Sequence, residues 1–397
     1  MKKIGFVAPW YGEKIPGGAE MELRGLIHHL KAANVELEVL TTCVKDFMSN
    51  WNENYYRAKT YQENGITVKR FRVTPGDHFI FNNINEKLIN NMPITPEQET
   101  VFVKNIINSK DLCQYISDHQ EEYSLFVFIP YMFGTTYHGI LACPEKAVVI
   151  PCLHDESYAY MNCYRKCLSL ANGIVFNAAP EKILANKLMD LSNVNQMVIG
   201  IGVDTALQGG VERFQAKYHI KGPFILYAGR KDKTKNVHTL VKYFEMYKKR
   251  NKNYLQLVMV GPAQIPVPDD IKTDVHDLGF VNLQDKYDAY TAATVLCQPS
   301  KNESFSLVIM ESWLAHRPVM VHEECKVTAN FVKESNGGFY FNNYVDFEGQ
   351  INYLLGHPNI ASQMGEQGRE YVLKNFSWNV IVERYINFFR HCVGEES

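Results

Sequence analysis

Short apolar runs alternate with amphipathic helical patterns along the whole chain, and the series starts afresh near its middle. In the first half the strand candidates fall at 3–8, 36–41, 66–73, 125–130, 147–151 and 173–177. The second series falls at 224–227, 255–260, 275–278, 294–298 and 318–322. Helical patterns lie between them, among others at 19–32, 236–249, 307–315 and 361–374. Such alternation predicts parallel sheets covered by helices, here two doubly wound, Rossmann-like α/β domains. The length of 397 residues suits two domains of that size. The expected boundary is near 198–204, where a strand runs into a segment holding Gly200 and Gly202, giving domains 1–202 and 203–376. Residues 377–392 read as a final amphipathic helix, with no repeats or low-complexity tracts before it.

Charge narrows the function. Lys plus Arg number 41 against 43 Asp plus Glu, a formal net charge of −2. This lacks the basic footprint of a nucleic-acid binder and of a strongly polybasic membrane protein. The start, Met1-Lys2-Lys3 and an apolar run, resembles a signal peptide, but Pro9 breaks the run, so a buried first strand is expected. No stretch reaches the ~20 apolar residues of a membrane span. Nine scattered cysteines predict reduced thiols and a cytoplasmic location. Cys163 and Cys167 are four apart without a second pair, so no metal site is expected.

Four segments carry candidate chemistry. Pro299-Ser300-Lys301-Asn302-Glu303-Ser304-Phe305-Ser306-Leu307 leads from a strand into a helix beginning near Ser306 and holding Glu311. Unpaired N–H groups at a helix start form a diphosphate seat. Eight residues at a rise of ~1.5 Å span about 12 Å, enough for Glu303 and Glu311 to hold hydroxyls on opposite sides of it. Phe224–Ala228 is followed by Gly229, Arg230 and a lysine cluster, where a guanidinium fork and an ammonium neutralise a leaving diphosphate. Lys235 is the preferred lysine, with Lys233 as alternative. Pro16-Gly17-Gly18-Ala19-Glu20 follows the first strand, and its glycines allow close backbone approach. The spacing is not that of a dinucleotide fingerprint. His154 is expected to end an apolar strand of the first domain, in Ile150-Pro151-Cys152-Leu153-His154, with Asp155 and Glu156 beside it as alternative ligand-binding residues.

Glu303, Phe305, Leu307 and Glu311 resemble the paired-glutamate motif of glycosyltransferase family 4, with Ser304 and Ser306 in place of two glycines. Gly229, Arg230, Lys235 and Asn236 are similar to that family's Gly-Arg…Lys-Asn turn, and Gly17-Gly18-Ala19-Glu20 to its first glycine loop. Leu278-Gly279-Phe280-Val281, Val198–Asp204 and Phe376-Ser377-Trp378 fit as well; the likeness covers most of the second half and the first half thinly.

The resemblance implies the GT-B fold: two Rossmann-like domains facing a cleft, with segment 377–397 crossing back to the first. It implies a retaining, metal-independent hexosyltransferase that uses a UDP-, GDP- or ADP-sugar and needs no other cofactor. In it Glu303 and His154 would contact the donor hexose, Glu311 the ribose, and Phe280 and Val281 the base. Gly17, Gly18, Gly229, Phe305, Ser306 and Leu307 would line the nucleotide. The acceptor would be a hydroxyl of a glycan, lipid-linked molecule or protein in polysaccharide or glycoconjugate synthesis, with weak peripheral association at the inner membrane face. An epimerase of the same fold and a catalytically silent sugar-nucleotide-binding subunit are the alternatives.

Overall fold

The computed structural model describes residues 2–15, 17–206 and 208–395. The chain divides into two compact units, Met1–Gly202 with Ile381–Ser397, and Val203–Val380. The helix Trp378–Cys392 therefore delivers most of its length to the first unit.

The first unit is built on β1 (Lys3–Ala8), β2 (Leu37–Thr42), β3 (Thr60–Glu63), β4 (Ile66–Phe71), β5 (Tyr123–Phe128), β6 (Ala147–Val149), β7 (Gly173–Phe176) and β8 (Asn195–Val198). Their order in the sheet is β3-β4-β2-β1-β5-β6-β7-β8. Neighbours run parallel except β3, which is antiparallel to β4. β3 was not among the expected strands. It closes on β4 through Asn64-Gly65, whose φ angles of 51° and 75° are those of a two-residue hairpin turn. β5 lies two residues earlier than expected, and β6 ends at Val149, before Pro151, which has no N–H for a ladder.

The second unit holds β9 (Phe224–Ala228), β10 (Gln256–Val260), β11 (Val275–Asp277), β12 (Val295–Gln298), β13 (Val319–His322) and β14 (Gly338–Phe341). They form one parallel sheet in the order β11-β10-β9-β12-β13-β14. The chain winds outward from β9 on one side and from β12 on the other. Between those strands the connections diverge, leaving a crevice at their carboxyl ends where such sheets bind ligands. Strands like β9, Phe-Ile-Leu-Tyr-Ala, are buried along their whole length. Both faces are covered by helices, so an unbroken apolar run, not an alternating one, makes the strand. β14, also outside the expected set, is the exception: half-buried at the sheet edge.

One packing contact sets the position of the helix Leu307–Leu314. Its residues Ile309 to Leu314 are all buried, Glu311 included. The helix Pro358–Phe376 lies against it and approaches through glycines: a Cβ on Gly368 would lie 2.1 Å from the Trp313 ring. Among the described residues no helix is long and apolar enough to cross a membrane.

Candidate functional site

The two loops at the crevice of the second unit carry Arg230 and Lys235 after β9, and Glu303 to Ser306 after β12. Side chains tie the loops together. Lys235 Nζ lies 2.8 Å from Glu303 Oε1, and Asn236 Nδ2 donates to the Pro299 carbonyl at 3.0 Å. Gln298 Nε2 adds a longer bond to Glu303 Oε1 at 3.4 Å. Glu303 is only 10% exposed, so Lys235 compensates a carboxylate largely removed from water. Lys233, the alternative cation, is exposed.

The backbone of the first loop is held from below. Tyr227 Oη donates to the Arg230 carbonyl at 2.7 Å, and burial, followed by the charge of Glu303, drives the phenol's pKa well up. Lys231 is fully buried; its Nζ is 2.9 Å from Asp277 Oδ1 and also donates to the Gly261 carbonyl. Gly229 has φ 146°, and Gly261, with φ 129°, packs so closely that a Cβ there would lie 2.0 Å from the Gly229 oxygen. On this base Arg230 projects into solvent, 58% exposed, paired with Asp232. Burial raises the Asp232 carboxyl, but bonds from Thr234, the Lys235 amide and Arg230 outweigh it and leave the pKa lowered.

The second loop enters its helix through Ser306, which adopts φ 84°, ψ 78°. That left-handed conformation is one glycine accepts without strain and serine does not. It explains how serine stands where the resembling motif has glycine: the backbone keeps the glycine-like turn. Ser306 Oγ is shielded from solvent and makes no cap; among the described atoms it has no partner. Phe305 is 1% exposed, edge-on to Phe331 and Phe376 at 5.2 and 5.0 Å between ring centres. Its ring anchors the loop, so any part it has in a ligand site is through the backbone. Leu307 is half-buried at the first helical turn.

About one turn along, Glu311 is held by Lys286 Nζ at 2.6 Å and Tyr290 Oη at 2.7 Å. Phe280, at 84% exposure, and Val281 follow Gly279, whose carbonyl accepts from the Gly261 amide at 2.7 Å. Lys231, Lys286, Tyr290 and Asp277 were not singled out in the sequence. Only the buried pairing distinguishes them, although Lys231 was visible as the residue next to Arg230.

In the first unit, Gly17 and Gly18 open the helix Gly18–Ala32 after β1; Pro16 lies outside the described residues. Gly17 has φ 140°, and Glu20 turns back to accept from Trp10 Nε1 at 2.6 Å. His154 does not end a strand as expected. It sits five residues beyond β6 in an irregular segment, half-buried, with Nδ1 3.8 Å from Glu156 Oε1. Glu181 holds that segment: its carboxylate accepts the Leu153 and Asn177 amides, each at 2.6 Å. Burial raises its pKa to about 7 against those bonds. Glu22 is bonded to Asn177 at 3.1 Å, and burial, then the Glu181 charge, lifts it to about 8. Among the described residues, no group of three or more His, Cys, Asp or Glu is placed to hold a metal ion.

Residues 211–371, within the second unit, match the family model of glycosyl transferases group 1. Over 356 residues the chain is 21% identical to a poly(ribitol-phosphate) alpha-N-acetylglucosaminyltransferase of Staphylococcus aureus, spanning 82% of this chain and 67% of that protein. Among solved structures, sucrose-phosphate synthase from Thermosynechococcus elongatus superposes with a TM-score of 0.72 at 16% identity, with all of both chains covered. Anabaena HepE in complex with UDP and glucose gives a TM-score of 0.68 at 14% identity over 98% of this chain and 100% of that one. The family match and the relatives support a glycosyltransferase, and the fold is that of the GT-B class.

Proposed function

We propose that this chain is a retaining, metal-independent hexosyltransferase of glycosyltransferase family 4, moving a sugar from a nucleoside-diphosphate donor to a hydroxyl acceptor. The observation that carries this reading is the pairing of Lys235 with Glu303 across the crevice between β9 and β12, at the start of the helix bearing Glu311. Cationic groups and free helical N–H groups there suit the charge that develops as a diphosphate leaves. Arg230 and Lys235 neutralise that charge, Glu303 holds the donor hexose and Glu311 the ribose. Phe280 and Val281 lie by the base, and Gly17, Gly18 and Gly229 let backbone approach the donor closely. His154 is assigned to the donor sugar on the family resemblance. Nine free cysteines support a reducing, cytoplasmic setting.

The test is thermal unfolding with UDP-, GDP- and ADP-sugars in turn. One of them is expected to stabilise the protein by about 2.7 kcal/mol at a hundredfold excess over its dissociation constant. Absence of stabilisation by every nucleotide sugar would overturn the reading.

A further inference from the structure

A cavity of about 460 Å³ lies wholly within the first unit, between the end of the helix His78–Ile89 with the segment after it and the segment following His154. Its volume is in the range of small-molecule sites, ~300–1,000 Å³. The walls are stitched together. Ser157 Oγ lies 2.7 Å from both the Leu88 carbonyl and Asn91 Oδ1, and Tyr158 Oη donates to Asn85 at 2.6 Å. The buried Glu99 lines it, accepting the amides of Asn162 and Cys163 at 3.0 and 2.9 Å at the start of the helix Asn162–Leu168.

Two features of the lining select a ligand. Tyr160 and Met92, at 47% and 46% exposure, offer apolar surface to the cavity. The ionic lining is of one sign: Glu99, Asp155 and Glu156 are the charged residues, with no lysine or arginine among the described lining residues. Asp155 accepts from Tyr160 Oη at 2.7 Å and Glu156 from Tyr131 Oη at 3.2 Å. A carboxylate has about four acceptor sites, so each retains capacity for a ligand's hydroxyls. Bonds from hydroxyl or ammonium donors to carboxylates are charge-assisted, and a ring with an apolar face finds the tyrosine. A phosphate or carboxylate on the ligand would meet like charge, which works against the wrong partner.

We infer that this cavity seats the acceptor, and that the acceptor portion it takes is an uncharged or amino-bearing glycan unit, with anionic sugars disfavoured. Naming the ligand as acceptor rests on the transferase reading; the glycan selectivity rests on the cavity.

The test uses the full chain and saturation-transfer NMR with three probes: methyl glucoside, methyl glucosaminide and glucose 6-phosphate. The first two are expected to bind, the phosphate at least about tenfold more weakly. Tyr160→Ala should abolish the signals, and Asp155→Lys should move the preference at least about tenfold toward the phosphate. Equal affinity for all three probes, no binding of any, or binding unaffected by both variants would overturn the inference. Nucleotide-sugar stabilisation measured on the same samples separates the two claims. Stabilisation without glycoside binding sinks the cavity assignment alone, whereas glycoside binding without it leaves a glycan site and removes the transferase.

Discussion

Lys235 Nζ and Glu303 Oε1, 2.8 Å apart, join the loop after β9 to the loop after β12, so one ion pair couples the proposed diphosphate cation to the proposed sugar ligand. Removing the lysine has two effects, loss of a charge facing the leaving group and release of a buried carboxylate. Lys235→Ala is therefore expected to lower turnover at least about a hundredfold, the scale set by groups acting on developing charge. Arg230→Ala should cost a similar factor with less effect on folding, because Arg230 is largely exposed. Release of nucleoside diphosphate from the donor identified by thermal shift gives the readout, and near-native turnover in both variants contradicts the assignment.

Glu303 and Glu311 are expected to separate by role. Glu311 is fixed by Lys286 and Tyr290 deep in the helix, so Glu311→Ala should weaken binding of the free nucleoside diphosphate about tenfold or more. Glu303→Ala should leave that affinity nearly unchanged and damage sugar transfer. Calorimetric titration of both variants decides; equal loss in the two refutes the division.

The turn at Ser306 makes opposite demands on two substitutions. With φ at 84°, Ser306→Gly should be tolerated in both stability and turnover. Ser306→Val places a β-branched residue in the left-handed region and should destabilise by about 1–3 kcal/mol. Chemical denaturation of both variants measures this, and equal stability would show that the turn is not strained.

Stability should fall as pH rises through neutrality. Glu22, raised to about 8 from an ordinary value of 4.5, and Glu181, raised to about 7, hold protons in the folded chain that the unfolded chain releases. Between those values folding binds protons, so each group's contribution is fully present below about pH 4.5 and is lost as pH rises through its folded value. One such proton corresponds to a slope of at most about 1.4 kcal/mol per pH unit. Melting curves from pH 5 to 9 should show the decline, and Glu22→Gln should flatten it. A midpoint that rises over this range would contradict the burial of these carboxyls.

Much of the fold was legible because strands buried on both faces read as plain apolar runs; β1 and β9 show this best. β3 was not, since Thr60–Glu63 carries no such run, whereas β14, Gly-Phe-Tyr-Phe, is a short apolar run that is only half-buried at the sheet edge. The Asn64-Gly65 turn was a usable signal for the first of them. In the candidate site, Arg230, Lys235 and Glu303 stood out because each lies between an apolar strand end and a helix start, and Glu311 because it falls eight residues after Glu303 inside that helix. Lys231 and Lys286 did not, because a lysine beside a strand reads the same whether it reaches solvent or a buried carboxylate. His154 lies beyond β6 and not at its end, because β6 stops at Val149, short of Pro151, which has no N–H to continue the ladder.

The adjacency of β9 and β12 also bears on when the candidate site comes into being. Lys235 and Glu303 are 68 positions apart, and β10 and β11 are threaded between them. Bringing such distant stretches together costs chain entropy that nearest-neighbour strands recover only once they pair. No fragment ending before β12 contains the pair, and no partly folded chain with β9 and β12 unpaired presents it. Donor affinity is thus expected to be gained with the central strand pairing and not before it, and a fluorescent nucleotide added during refolding would time that event.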